Sequence, residues 1–343
     1  MTGTPSTARL ITPTMLGVWI LLSTVPLWIS TVGLYPYIGV EILVWSIYAL
    51  AFNLVLGTSG LPSFGHGALF GVGAYAFGLT QFNVAANLWV CLLGATLAGA
   101  IVSLLIGLFI SHRRGIYFAL MTIAFGQIFW TISVKSHSIT GGEDGLLNIL
   151  RLPVDLGIVS FDITDNDRLY YFVLAMFVVV TVLLWRLVNS PYGRILAAIR
   201  QSETRTAHLG YNVWLYKLSV IVISGAFSGF AGGLFAMAQR SAFPDVMNLA
   251  QSGLVVMMTL VGGGLVSFWG PVIGVIVFLI SRDVIGAWTS AWMLYFGAMF
   301  VLLVLFRPEG IAGAYKLALE RWRARGVAGG ASSGALGSAS RSA

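Results

Sequence analysis

Few side chains in this chain sit where they could do chemistry, and most of those lie inside long apolar runs: Asn53, Ser63, His66, Thr122, Gln127 and the neighbours Arg282 and Asp283. An ionised group at bilayer depth costs about 2.5 to 3.5 kcal/mol on insertion scales, so each polar residue there is a functional candidate. Asn53 and Gln127 could equally form hydrogen bonds between helices. Arg282 and Asp283 carry opposite charges near the end of a run and read as a mutual pair. Enzyme chemistry finds no support. His66, His112, His137 and His208 fall on four different segments, so no metal cluster is expected. There is no GxxxxGK followed by Ser or Thr, no dinucleotide fingerprint and no HExxH. The chain is expected to have no catalytic residue, to bind no cofactor, and not to hydrolyse ATP by itself. The one cysteine, Cys91, lies in an apolar run and reads as a core residue.

A second group of candidates is basic and lies outside the apolar runs, between Ser190 and Lys217. Ser190 can cap a helix that begins at Pro191, where a missing amide donor costs nothing, and Ile195, Leu196 and Ile199 then share one face. Ser202 can cap a further turn through Glu203 to Leu209, and Gly210 supplies the left-handed residue that ends it. A compact helix, turn and helix outside the bilayer is a docking element.

The elements that must hold these groups are membrane helices. Hydrophobic residues make up 58% of the sequence and charged residues 9%, which excludes a soluble globular protein. Apolar runs predict about ten transmembrane helices, near 15–34, 37–57, 63–82, 87–110, 116–134, 169–188, 217–239, 252–267, 271–289 and 291–306. An even number puts both termini on one side. Arg113, Arg114, Arg186, Arg194, Arg200, Arg205, Lys217, Arg307, Lys316, Arg321, Arg323 and Arg325 all fall on that side, which marks it cytoplasmic and assigns the net charge of +7 to topology rather than to nucleic acid. The 135–168 loop then faces outward and holds six acidic residues against three basic ones. Residues 1–14 carry only Arg9, so no cleavable signal peptide is expected. Residues 1–313 are expected to form one membrane domain, 314–325 a cytoplasmic basic helix and 326–343 a disordered tail.

Two spans are irregular. Leu61 to Phe82 opens with Pro62 and contains Gly65, Gly67, Gly71, Gly73 and Gly78, while Gly253 to Ser267 is short and holds Gly262 to Gly264. Irregular backbone at membrane depth survives only where protein or a water-filled cavity satisfies it, so these segments are candidates for a translocation pathway. Close helix packing is the alternative use of small residues, and Gly225, Gly229 and Gly233 at four-residue spacing exemplify it.

Five stretches resemble the membrane subunit of branched-chain amino acid ABC importers, on the LivM-like rather than the LivH-like side. They are SFGHGALFGVGAY (Ser63 to Tyr75), RRGIYFALMTIAFGQI (Arg113 to Ile128), TGGEDGL (Thr140 to Leu146), SPYGRILAAIRQSETRTAHLGYN (Ser190 to Asn212) with YKLSVIVISGAFSGFAGGL after it, and LFRPEGIAG (Leu305 to Gly313). The resemblance implies a permease in a bacterial inner membrane, paired with a second, LivH-like permease and two cytoplasmic ATPase subunits that use ATP and Mg. A periplasmic binding protein would deliver the substrate. On this reading Arg200, Ser202, Glu203, Arg205, Ala207 and Gly210 are expected to couple to the ATPase. The pathway is expected to involve Asn53, Ser63, Gly65, His66, Thr122 and Gln127, with Thr140, Gly141 and Gly142 near its outer mouth. Urea, short amides or aromatic acids are alternative cargoes within the family, and an ion-coupled secondary transporter is the alternative outside it. The family's Gly-Gly-x-Gly-Thr run before Gly-Pro is altered here to Gly263, Gly264, Leu265, Val266 and Ser267, and the Glu-Ala-Ala triplet of many importers is absent.

Overall fold

A computed structural model describes residues 13–28, 35, 37–155, 160–289, 291–306 and 310–313. The expectations for the 314–325 helix and the 326–343 tail lie outside these residues. In chain order the helices are α1 (Pro13–Ser23), α2 (Val25–Trp28), α3 (Tyr37–Asn53), α4 (His66–Asn83), α5 (Leu88–Ile110), α6 (Gly115–Lys135), α7 (His137–Thr140), α8 (Asn166–Asn189), α9 (Pro191–Gln201), α10 (Glu203–His208), α11 (Val213–Gln239), α12 (Leu249–Gly262), α13 (Gly270–Trp288) and α14 (Trp292–Phe306). A two-residue antiparallel ladder, β1 (Val154–Asp155) with β2 (Ser160–Phe161), pairs Val154 with Phe161 in the loop before α8.

Six segments are long and apolar enough to cross a membrane: Tyr37–Thr58, Leu88–Ile110, Gly115–Lys135, Asn166–Asn189, Val213–Gln239 and Gly270–Trp288. Three shorter apolar helices, Thr14–Ser23, Leu249–Gly262 and Trp292–Leu302, fall below that length. The chain is therefore an all-α, multi-pass membrane protein with six full-length spans among the described residues, fewer than the ten the apolar runs predict. Glycine explains part of the shortfall. In α4 it replaces larger apolar side chains, and after Gly262 it ends α12 early through Gly263, whose φ of +87° closes the helix.

Burial sorts the helices into layers. The Tyr37–Thr58 segment is 94% buried and Val213–Gln239 is 72% buried, whereas Gly115–Lys135 is only 17% buried. A helix that is apolar all round belongs in the centre, and α3 and α11 occupy it. Small residues set their spacing. A Cβ added to Gly229 would stand 2.9 Å from Gly99 Cα on α5, and one on Gly225 would stand 2.9 Å from the Gly99 carbonyl oxygen. The expected glycine stripe thus packs α11 against α5 backbone to backbone. The α4 glycines serve the same purpose within a regular helix: Gly67 approaches the Val246 carbonyl and Gly73 lies against Gly229. Irregular backbone is confined to shorter stretches than expected. One is the π-helical turn Leu54–Thr58, which ends α3 and runs into the non-helical residues before His66. The other is the Gly263-to-Trp269 turn between α12 and α13.

Candidate functional site

Three of the polar residues expected inside the membrane domain, Ser63, His66 and Thr122, converge where α3, α4, α6 and α11 meet, and these and Asn53 are buried. His66 is 2% exposed, Thr122 4%, Ser63 5% and Asn53 6%. His66 begins α4, so its ring turns into the bundle. Its Nε2 lies 2.8 Å from Ser224 Oγ on α11, and its Nδ1 lies 3.1 Å from Ser63 Oγ. Ser224 has one hydroxyl proton and donates it to the Ala51 carbonyl at 2.6 Å. Nε2–H must therefore donate to Ser224, and Nδ1 accepts from the Ser63 hydroxyl. The result is a neutral imidazole locked in one tautomer by three helices, with the Phe52 ring 5.2 Å away edge-on.

The Thr122 hydroxyl accepts from Phe64 N–H at 3.0 Å and donates its proton to Ala119 O at 2.7 Å, tying the non-helical entry of α4 to α6. Gly65 lies against the Thr122 backbone, and a Cβ on the facing Gly126 would meet Gly65 Cα at 3.2 Å. Ser63, Gly65, His66, Thr122 and apolar neighbours enclose a cavity of about 20 Å³, room for one water molecule. Gln127 is half-buried further along α6. Asn53 stands apart from this knot, beside the π turn, and its buried Oδ1 has no hydrogen-bond partner among the described residues.

At one end of the bundle lies the capped segment, with the caps expected from sequence. Ser190 Oγ accepts from Gly193 N–H, Pro191 takes the first helical position, and Ser202 Oγ accepts from Arg205 N–H. Gly210 has φ +90°. Leu196 and Ile199 are buried on the inner face of α9. Tyr192 hydrogen-bonds Ser219 at 2.7 Å, and burial pushes its phenol above the ordinary range. Arg205, Ala207, His208, Leu209, Gly210 and Tyr211 face outward.

Glu203 departs from its expected role as an outward contact. It turns inward to Arg114 at 2.6 Å and to Lys217 Nζ at 3.3 Å, and Lys217 also donates to the Arg113 carbonyl at 2.5 Å. Lys217 is fully buried and requires a counter-charge, which only Glu203 supplies among the described residues. Arg200 bonds the carbonyl oxygens of Gly57 and Leu265.

The opposite end of α11 carries a different cluster. Arg151 donates to Thr164 O at 2.8 Å, Asn166 Oδ1 at 2.9 Å and Ala238 O at 3.1 Å, beside an open cavity of about 500 Å³ that Tyr37, Asp165, Gln239 and Arg240 also line. Burial, with Arg240 close by, pulls Arg151 below the ordinary arginine range. Thr140, Gly141 and Gly142 form a buckled turn nearby. Thr140 Oγ lies 2.5 Å from Ser133 O, and Gly141, Gly142 and Gly145 all take positive φ before Leu146 bridges to Ala242.

Arg282 and Asp283 pair at 2.9 Å as expected, and Arg282 reaches a third member, Glu41 on α3, at 2.7 Å. Glu41 and Ser224 went unnoticed in the sequence because neither has a polar partner at helical spacing on its own helix that would mark it. Their partners lie 241 and 158 residues away.

A multi-pass helical bundle packed through glycines, with a buried polar knot and a capped basic segment at one end, is that of an integral membrane protein. Residues 36–306 match the family described as branched-chain amino acid transport system / permease component, and the chain belongs to that family. It is 30% identical over 289 residues to the high-affinity branched-chain amino acid transport system permease protein LivM of Salmonella typhimurium, covering 78% of this chain and 68% of that protein. The LivM of Escherichia coli matches to the same extent. The probable LivM of Methanocaldococcus jannaschii is 22% identical over 315 residues, covering 77% of this chain and 89% of that one. No solved structure matches.

Proposed function

We propose that this chain is the LivM-like membrane subunit of an ATP-driven importer for branched-chain amino acids in a bacterial inner membrane. A second, LivH-like permease completes the membrane part, the pair sits on two cytoplasmic ATPase subunits with the 190–217 segment as this chain's contact, and a periplasmic binding protein delivers substrate at the Arg151 end. The observation that carries this reading is the family match over residues 36–306 in a chain whose capped, amphipathic 190–217 segment presents Ala207, Leu209 and Gly210 outward. The pathway runs beside the His66 knot, where a neutral, fully hydrogen-bonded lining holds solute weakly enough to release it.

Reconstitution of the chain with the second permease, the ATPases and the binding protein tests this directly. Leucine, isoleucine and valine uptake should require ATP and the loaded binding protein. Uptake driven by an ion gradient without ATP would replace this reading with a secondary transporter. A binding protein selective for urea, short amides or aromatic acids would replace the cargo alone.

A further inference from the structure

The C-terminal ends of two membrane helices meet at one point. The π turn Leu54–Thr58 finishes α3, and Gly263 to Leu265 follow the last turn of α12. They are in contact: a Cβ on Gly57 would stand 2.8 Å from the Gly264 carbonyl oxygen, and one on Gly264 would stand 2.7 Å from Asn53 Oδ1. Local N–H groups bond Val55 O and Leu56 O at the end of α3 and Thr259 O and Leu260 O at the end of α12, but each helix end still carries about half a negative charge. Two such ends with the partnerless Asn53 oxygen beside them repel one another unless a cation stands between.

Arg200 is that cation. Its Nη1 donates to Gly57 O at the end of α3 and to Leu265 O, 3.2 Å away, after α12. Its aliphatic stem lies on Gly60, which takes φ +73° and where a Cβ would come within 2.7 Å of Arg200 Cγ. Arg200 belongs to the last turn of α9, in the segment that the proposed function assigns to ATPase docking.

We propose that Arg200 is a positioning residue: it caps both helix ends with one guanidinium and hands movement of the 190–217 segment to α3 and α12. This rests on the coupling role given to that segment. Glu203 bolts the same segment to the α5–α6 loop and α11 through Arg114 and Lys217, so Arg200 is its separate grip on the α3–α12 junction. Both bonds come from Nη1, so a lysine in its place keeps the charge and a donor nitrogen but not the rigid guanidinium plane that aims it.

Two measurements on the full-length protein test it. In a Cys91→Ser background, spin labels at Thr58 and Val266 report the distance across the junction in the chain alone. Wild type and Arg200→Lys should give one narrow distribution, and Arg200→Leu a longer or broader one. In the reconstituted complex, leucine uptake per ATP hydrolysed should fall about tenfold or more in Arg200→Leu, as expected for losing its charge-assisted hydrogen bonds to Gly57 and Leu265. Arg200→Lys should recover part of that ratio. An unchanged distance distribution in Arg200→Leu, or a wild-type ratio of uptake to hydrolysis, would overturn the proposal. So would loss of assembly in Leu and Lys variants alike. Should wild type show no ATP-driven uptake, the coupling reading fails, and the distance measurement alone decides the capping role.

Discussion

A lysine that is 1% exposed at the start of a membrane helix is an unusual place for a positive charge, and Lys217 is held there by Glu203 and the Arg113 carbonyl. Glu203 is itself only 15% exposed, while Arg114 keeps 61% of its side chain in solvent. The two ion pairs are therefore unequal. The Arg114 pair is screened and contributes little, whereas removing the charge of Glu203 strands a buried ammonium. Glu203→Gln should lower stability by about 3 kcal/mol, the lower end for breaking a buried pair. Adding Lys217→Met should recover most of that loss, and Arg114→Gln should barely register. Thermal unfolding of the three variants in detergent checks this ordering. A stable Glu203→Gln protein would mean that Lys217 reaches solvent. His66 obeys the same rule without charge: Ser224→Ala would leave Nε2–H unpaired, at about 1 to 3 kcal/mol.

At the scale of elements, the 190–217 segment was legible because capping is local. Ser190, Ser202 and Gly210 act within three or four residues, and their hydrogen bonds and positive φ follow from sequence spacing. The packing of α11 was legible for the same reason, since Gly225, Gly229 and Gly233 recur at the helical period. The π turn at Leu54–Thr58 was not, because it continues an apolar run without a break in composition. Nor was the inward turn of Glu203, which depends on residues from α11 and from the α5–α6 loop.

Gly210 allows the docking segment to be tested as an element. A Cβ there meets nothing within 4 Å, so its constraint is backbone alone. Gly210→Val should be strained by about 1 to 3 kcal/mol and lose uptake, while Gly210→Asn, which tolerates the left-handed region, should retain it. Ala207→Glu places a charge on the outward face and should weaken ATPase copurification without affecting membrane insertion. Wild-type uptake and assembly in both Gly210→Val and Ala207→Glu would remove the docking role from this segment.

For the whole molecule, contacts at the two ends of the bundle trace the path of the chain. Tyr37 bonds Gln239 at 2.7 Å, whereas Gly60 lies under Arg200, so α3 runs from the Arg151 end to the docking end. Gly78 near Ile149 returns α4, and Trp89 bonded to Asp155 starts α5 at the Arg151 end. Lys217 bonded to the Arg113 carbonyl brings α5 back to the docking end, where α6 begins. Asn166 at Arg151 and the Ser190 cap give α8 the opposite course from α6. Leu265 at Arg200 and Arg282 at Glu41 send α12 and α13 in opposite directions. Gly310 then closes the path: a Cβ on it would stand 2.6 Å from Leu260 O, at the docking end again. At 14 residues α12 is about 21 Å long, short of a bilayer core of about 30 Å, and the turn that follows it is bonded within itself, by Gly263 and Gly264 N–H to Leu260 and Thr259 O, and by Arg200 to Leu265 O. From α3 to α14 the path ends on the docking side, so the proposed docking role expects a cytoplasmic C-terminus. A cytoplasm-active reporter fused after Arg325 or inserted after Gly210 should be active, and a periplasm-active one inserted after Asp155 should be active in turn. A periplasmic signal after Arg325 with the other two as expected would make one of α11 to α14 re-entrant, and the length of α12 makes it the one to re-examine.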